Sequence, residues 1–216
     1  MGKDKLKKFA EIGTFSNVLQ LEEGKVRKGR WSEDQFGNDH PIVLELACGK
    51  GEYTVNLAKL EPDRNFIGVD FKGNRIWRGA KTALEEGISN VAFLRIQIED
   101  ILDYFAAGEV AEIWITFPDP QPQKGRIKKR LTNPTFLTKY KWIAAENAKL
   151  HLKTDNDDFY RYTLETLEEF GALVRQATDD VYQSGFVTPE LAIKTYYERK
   201  YLAEDKRINY VQWQFQ

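Results

Sequence analysis

From Pro41 onward, short apolar runs of strand length alternate with segments whose apolar residues recur at helical spacing. The strand-length runs fall at residues 42–46, 65–69, 91–96, 111–116 and 149–153, and helical periodicity is clearest over 53–60, 75–86 and 157–170. Runs that are apolar at nearly every position have no polar face to give to water, so both faces must be covered. Five of them separated by amphipathic helices predict a mostly parallel sheet with helices on either side. The segment 157–170 shows the helical pattern best. Phe159, Thr163, Leu167 and Phe170 share one stripe, Asp155 or Asn156 is placed to cap the start, and Gly171 follows the end. Residues 172–181 and 208–215 then switch to period two, which predicts an antiparallel C-terminal strand pair finishing the sheet. The expected fold class is α/β and Rossmann-like.

Residues 1–38 lack this pattern. They are poor in apolar residues and rich in lysine, arginine and glycine, which predicts a basic N-terminal extension, partly ordered, ahead of one domain over 39–216. A chain of 216 residues can hide roughly 70% of its unfolded surface in one core. A single cysteine excludes an internal disulfide framework, and with two histidines it leaves no basis for a thiolate-rich zinc site; no metal is expected. No apolar run approaches the ~20 residues that cross a bilayer. The lysine-rich start has no apolar stretch behind it of the kind that makes a secretory signal. These features predict a soluble, cytoplasmic chain without membrane contact. The net charge of −1 weighs against a protein that coats nucleic acid indiscriminately, and it allows a local basic patch.

The run at 42–46 leads into Glu45-Leu46-Ala47-Cys48-Gly49-Lys50-Gly51. Gly49 and Gly51 let the backbone turn sharply and approach a ligand, and the amides opening the next helix face whatever sits there. Asp70 ends the run at 65–69 about twenty residues later, where folds of this kind bind ribose hydroxyls. By itself the turn is equally an ordinary strand-to-helix connection. A dinucleotide site fits poorly, because Tyr53 and Thr54 stand where the third glycine belongs and Glu45 would set an acid beside a pyrophosphate. Glu45 suits a cationic ligand better, such as a sulfonium with its ammonium group. Cys48 is best placed as a small residue filling the turn.

With an acid followed by alternating glycines, this segment resembles the first motif of class I methyltransferases. Ala47 stands where the first glycine is usual, and an alanine is tolerated there if its φ stays negative. The resemblance implies S-adenosylmethionine as cofactor and the class I methyltransferase fold. It implies Glu45 near the methionine part of the cofactor, Gly49 and Gly51 in the turn around it, and Asp70 on the ribose. Gln97, with Ile98, Glu99 and Asp100, would flank the adenine. Gln97 replaces an acid common in such enzymes and can still offer its amide oxygen to the adenine amino group.

The run at 111–116 ends in Phe117-Pro118-Asp119-Pro120-Gln121-Pro122. Three prolines in five positions stiffen the segment and set Asp119 at the C-terminal edge of the sheet. Lys124, Arg126, Lys128, Lys129 and Arg130 follow directly. In isolation such a run is most often a solvated face. Joined by a rigid segment to an acid beside a cofactor turn, it also fits a phosphate clamp serving a reactive base.

This stretch resembles the signature of the bacterial tRNA (guanine-N7-)-methyltransferase family, Pro-Asp-Pro-Trp followed by lysines and arginines. His151-Leu152-Lys153-Thr154-Asp155-Asn156 and Thr195-Tyr196-Tyr197-Glu198-Arg199-Lys200-Tyr201 resemble two further family segments, so four ordered motifs span about Val43 to Phe215. The resemblance implies methyl transfer from S-adenosylmethionine to guanine N7 in the variable loop of tRNA. It implies that Asp119 is the catalytic or substrate-orienting acid and borders the cofactor. Asp155, Thr195, Tyr196, Tyr197 and Glu198 would contact the target nucleotide, and Gln123 or its neighbour Lys124 would touch substrate. Gln121 stands in place of the family tryptophan and Gln123 in place of a lysine. Taken as residues alone, Asp155 serves equally as a helix cap, His151 fits a packed structural role, and Trp142, Trp213 and Phe215 fit core aromatics. Monomer and homodimer are both compatible with the sequence.

Guanine N7 carries a free lone pair at neutral pH, so its methylation needs alignment rather than a base. That suits motifs without an obvious histidine or cysteine. Other functions compete: a methyltransferase for a different RNA or a protein, a Rossmann dehydrogenase, or a silent RNA-binding subunit. The last would have no use for Glu45, Asp70 and Asp119 together.

Overall fold

The computed structural model describes residues 3–216. Among them the strands are β1 (Val18–Gln20), β2 (Ile42–Leu46), β3 (Asn65–Val69), β4 (Val91–Arg95), β5 (Val110–Thr116), β6 (Ala144–Thr154), β7 (Leu173–Thr178) and β8 (Asn209–Gln214). The α-helices are α1 (Lys3–Ile12), α2 (Glu22–Lys25), α3 (Glu52–Leu60), α4 (Gly73–Glu85), α5 (Pro134–Ile143), α6 (Asp157–Phe170) and α7 (Tyr196–Ala203). One sheet holds the strands in the order β1-β4-β3-β2-β5-β6-β8-β7. Every residue of β2 and β3 is buried, as unbroken apolar runs require. Along β2, Ile42, Leu44 and Leu46 enter the core shared with α5 and α6, while Val43 joins the core shared with α3 and α4.

The C-terminal strands differ from the expected pair in one respect. β8 runs antiparallel to β6 and also to β7, which places it between them, so β8 alone opposes the rest of the sheet. Helix α6 begins and ends at the expected residues. Asn156, not Asp155, caps it by accepting the Phe159 amide at 2.8 Å, and Gly171 closes it in the left-handed conformation.

Residues 1–38 were expected as a basic, partly ordered extension; residues 1 and 2 lie outside the described ones, and those that follow fold onto the sheet. β1 pairs in parallel with β4, α1 packs on α4, and Ile12 and Trp31 are completely buried. Trp31 stacks on Phe105 with ring centroids 5.4 Å apart and donates its indole N–H to the Tyr104 carbonyl at 2.8 Å. A three-residue strand and a few isolated anchors are too short to register as periodicity, yet each anchor buries its whole side chain. Trp142 is a second correction. It is 45% exposed, because α5 turns Phe136, Leu137, Tyr140 and Ile143 inward and leaves position 142 on the outer face. Trp213 is fully buried and Phe215 packs edge-on against Phe170, as core aromatics do.

Candidate functional site

Four strand ends converge at the C-terminal edge of the sheet, the edge at which open α/β sheets bind ligands. Ala47 after β2, Asp70 after β3, Ile96 to Glu99 after β4 and Phe117 to Gln121 after β5 line one cleft of about 370 Å³. Arg75, Arg126 and Lys129 border the same cleft, and Phe71, Ile98, Leu131 and Phe136 give it apolar walls.

The turn after β2 is built around left-handed backbone. Ala47, Gly49 and Gly51 have φ of 58°, 57° and 69°. The condition under which an alanine was read as tolerable, a negative φ, is not met, and an alanine in this region costs about 1–2 kcal/mol relative to right-handed backbone. The turn holds because Cys48 donates its amide to the Val69 carbonyl at 3.1 Å and Gly49 donates to the Asp70 carboxylate at 3.0 Å. The two glycines do different work. A Cβ at Gly51 would collide with the Phe93 ring, so this glycine lets α3 pack closely on β4 and α4; a Cβ at Gly49 would meet almost nothing, which leaves that part of the turn open to a ligand. Cys48 is buried, and burial pushes its thiol well above the usual range, which suits a small residue filling the turn.

Asp70 is 6% exposed and doubly held: one oxygen accepts the Gly49 amide and the other the Lys72 amide at 2.8 Å. Two backbone donors fix its orientation at the cleft wall. Gln97 is exposed in the cleft, between the apolar walls of Ile96 and Ile98. Glu45 does not reach the cleft. It lies buried behind Ala47, one oxygen accepting the Thr54 amide at 2.8 Å and the Thr54 hydroxyl, the other accepting the Thr116 hydroxyl. Glu45, expected near the methionine part of the cofactor, is held by Thr54 and Thr116 in the layer between sheet and α3, behind the turn that carries Gly49.

Burial is the largest influence on Glu45 and outweighs its three donors, so its carboxyl is pushed up from 4.5 to about 7. The native state then binds a proton that the unfolded state releases. The resulting stability is fully present below pH 4.5 and is lost as pH rises through about 7, a change of roughly 3 kcal/mol. Glu45→Gln cannot titrate. The stability of the variant minus that of the native protein, from urea unfolding, is expected to rise between about pH 5 and 7.5. A difference independent of pH would show that Glu45 stays ionised throughout.

Asp119 is exposed on the cleft rim, its Oδ1 accepting the Gln121 amide at 3.0 Å. The segment around it is rigid: Phe117 and Gln121 both take positive φ, and Pro118 is buried. Arg130, expected within the cationic cluster, is buried instead. Its Nε donates to the Pro120 carbonyl at 3.0 Å and its guanidinium lies 4.4 Å from the centre of the Tyr162 ring. It ties the proline segment to α6 and is not available to phosphate. Residues Lys124–Lys129 form a 3₁₀ helix. With three residues per turn, Arg126 and Lys129 fall on one edge, and that edge faces the cleft. Gln123 and Lys124, the expected substrate contacts, are exposed at its start but do not line the cleft. Arg75 was missed as a cleft residue, and within the basic run only the helix type and phase single out Arg126 and Lys129.

The remaining expected residues, Asp155 and Thr195 to Glu198, do not line the cleft; α7, which carries three of them, reaches it through the Tyr201 contact with Phe117. Asp155 is half-buried, burial raises its carboxyl above the usual range, and its Oδ2 sits 3.7 Å from the Lys206 ammonium. Freed from capping by Asn156, it stays open to a polar partner. Thr195 caps α7 by accepting the Glu198 amide, and Tyr196 and Tyr197 are 52% and 48% exposed, their rings edge to face at 5.5 Å. Glu198 departs from expectation: it is fully buried, with both oxygens on the Lys153 ammonium. His151 is packed as expected, stacked on Trp114 at 3.8 Å with Nδ1 at 2.8 Å from the Tyr210 hydroxyl, and burial lowers its pKa. No group of three or more histidine, cysteine or carboxylate residues that could hold a metal occurs among the described residues, and none of their helices is long and apolar enough to cross a membrane.

A parallel sheet with one reversed strand set just inside its edge, with a glycine turn and an amide-held acid at the cleft, defines a class I methyltransferase. Solved structures agree on the fold: one described as an antibiotic-related methyltransferase matches with a TM-score of 0.66 at 16% identity, covering 92% of this chain and 96% of that one. The 16S rRNA methyltransferase KamB gives 0.64 at 14% identity, covering 84% and 90%. A family model described as a putative methyltransferase matches residues 39–211. A tRNA (guanine-N(7)-)-methyltransferase of Christiangramia forsetii is 51% identical, covering 98% of this chain and 97% of the relative. Those of Porphyromonas gingivalis and Geobacillus kaustophilus are 52% and 38% identical over 91% and 85% of this chain, covering 80% and 83% of their own lengths. The chain belongs to the tRNA (guanine-N(7)-)-methyltransferase family.

Proposed function

We propose that this chain transfers the methyl group of S-adenosylmethionine to N7 of a guanine in the variable loop of tRNA. The observation that carries the proposal is the position of Asp119. It stands on a proline-stiffened rim, in a cleft with an amide-held acid and apolar walls on one side and Arg126 and Lys129 on the other. The donor set fits the cofactor: Asp70 suits ribose hydroxyls, Gln97 between Ile96 and Ile98 suits a flat purine, and the bare Gly49 leaves room for the methionine part. When bound, S-adenosylmethionine supplies an electrophilic methyl on a cationic sulfur. The protein's own residues then need only hold a guanine in line with it, because N7 is already a nucleophile.

Asp119 accepts hydrogen bonds from guanine N1–H and the 2-amino group, and it repels adenine, which presents an acceptor at N1. Arg126 and Lys129 neutralise phosphates flanking that base. In this reading Asp155 and the exposed Tyr196–Tyr197 pair contact the target nucleotide from beyond the cleft. The test is direct. Unmodified tRNA is incubated with methyl-labelled cofactor and cleaved by chemistry selective for N7-methylguanine, with ribosomal RNA and a protein extract as competing acceptors. Label confined to one variable-loop guanine is the expected result; label in ribosomal RNA or protein alone would redirect the assignment to another methyltransferase.

A further inference from the structure

Helix α7 carries Tyr196 and Tyr197 at its exposed start, yet the one residue it buries completely is a carboxylate, Glu198. Tyr201 and Leu202 add only partial packing. The attachment of α7 is therefore largely electrostatic. Lys153, itself fully buried near the end of β6, places its ammonium 2.8 and 3.1 Å from the two Glu198 oxygens. The same ammonium donates to the carbonyls of Leu191 at 2.9 Å and Ile193 at 3.3 Å, which hold the segment leading into α7. Tyr182 donates its hydroxyl to Glu198 at 2.7 Å, so the pair is fully engaged. The backbone of Lys153 faces the other way: its carbonyl accepts the Phe117 amide at 2.8 Å, two residues before Asp119. Its ammonium also lies over the rings of Tyr53 and Phe117, at 5.3 and 6.0 Å. Phe117 in turn contacts Tyr201 of α7 at 6.0 Å between ring centres.

We infer that Lys153 is a positioning residue that locks α7, through Glu198, at a fixed distance and angle from the Asp119 segment. The inference rests on the assignment of α7 to the substrate side of the site. It gives Glu198 a role from within the protein rather than at the nucleotide. The alternative of a purely stabilising ion pair is separable, because replacing both members of a buried pair by apolar residues is often neutral for stability, whereas removing one leaves an unpaired buried charge.

Three variants of the full chain test this: Glu198→Gln, Lys153→Met, and Lys153→Met combined with Glu198→Met. Glu198→Gln is the mildest and keeps the inference testable if Lys153→Met fails to fold. It is expected to raise the tRNA KM about tenfold, to leave the S-adenosylmethionine Kd within about twofold, and to speed trypsin cleavage after Arg199 and Lys200 in α7. The double variant removes the unpaired charge but leaves the Leu191 and Ile193 carbonyls and the Tyr182 hydroxyl without these partners, so it is expected to restore α7 protection in part and to bring the tRNA KM well below that of Glu198→Gln. An unchanged tRNA KM and native protection in Glu198→Gln would overturn the inference. So would equal losses of cofactor and tRNA binding. A double variant with α7 protected but KM still high would also overturn it, by showing that Glu198 touches the nucleotide. If the native chain methylates no tRNA, the proposed function fails, while the trypsin measurements still report on the latch.

Discussion

Asp119→Asn is expected to lower kcat/KM for tRNA by about 10²–10³-fold while the S-adenosylmethionine Kd stays within about threefold. A carboxylate that accepts from both guanine N1–H and the 2-amino group meets two donors with two acceptors. Asparagine turns one of those acceptors into a donor, and a mismatched donor pair in a closed site costs about 1–3 kcal/mol for each group left unsatisfied. The proline segment does not depend on the charge, since Oδ1 needs only to accept the Gln121 amide, which an asparagine oxygen does equally well. Cofactor affinity is carried by Asp70, Gln97 and the apolar walls. Steady-state kinetics and calorimetry on the same preparation separate the outcomes. An equal fall in cofactor affinity and turnover would show that Asp119 shapes the cleft rather than reading the base.

Neutralising Arg126, Lys128 and Lys129 together with glutamine should raise the tRNA KM by about 10–100-fold and reduce the slope of log KM against log salt by about 2 to 3. Each cation that neutralises a phosphate contributes roughly 0.7–0.9 to such a slope. All three residues are exposed on the 3₁₀ helix, and Arg126 and Lys129 border the cleft directly. Arg130 is left intact because it holds the proline segment through Pro120, and changing it would displace Asp119 instead of removing a phosphate contact. A triple variant with the native salt slope would assign the cluster to solubility alone.

Much of the scaffold is written locally. Apolar runs of five residues cannot be half-exposed, so β2 and β3 fall at the expected residues, and α6 follows from its stripe, its cap and Gly171. The cleft residues Asp70 and Asp119 were legible for a related reason, since in an alternating α/β chain the residue after each strand must lie at one edge of the sheet, while Gln97 came from the family resemblance. Glu45, Arg130 and Glu198 went the other way. Each sits in a motif, and each is withdrawn from the surface by partners distant in sequence, Thr116, Tyr162 and Lys153 respectively.

The alternation of strand and helix from Ile42 to Arg95, the stripe of α6 and the edge that carries the chemistry were determined by the sequence alone, because periodicity and turn residues act over a few neighbours. Which charges face the cleft and which are consumed inside was decided only by the tertiary structure. A charged side chain's environment depends on partners brought in from other elements, and no local pattern records the burial that pairs Glu198 with Lys153 or places Trp31 under the sheet.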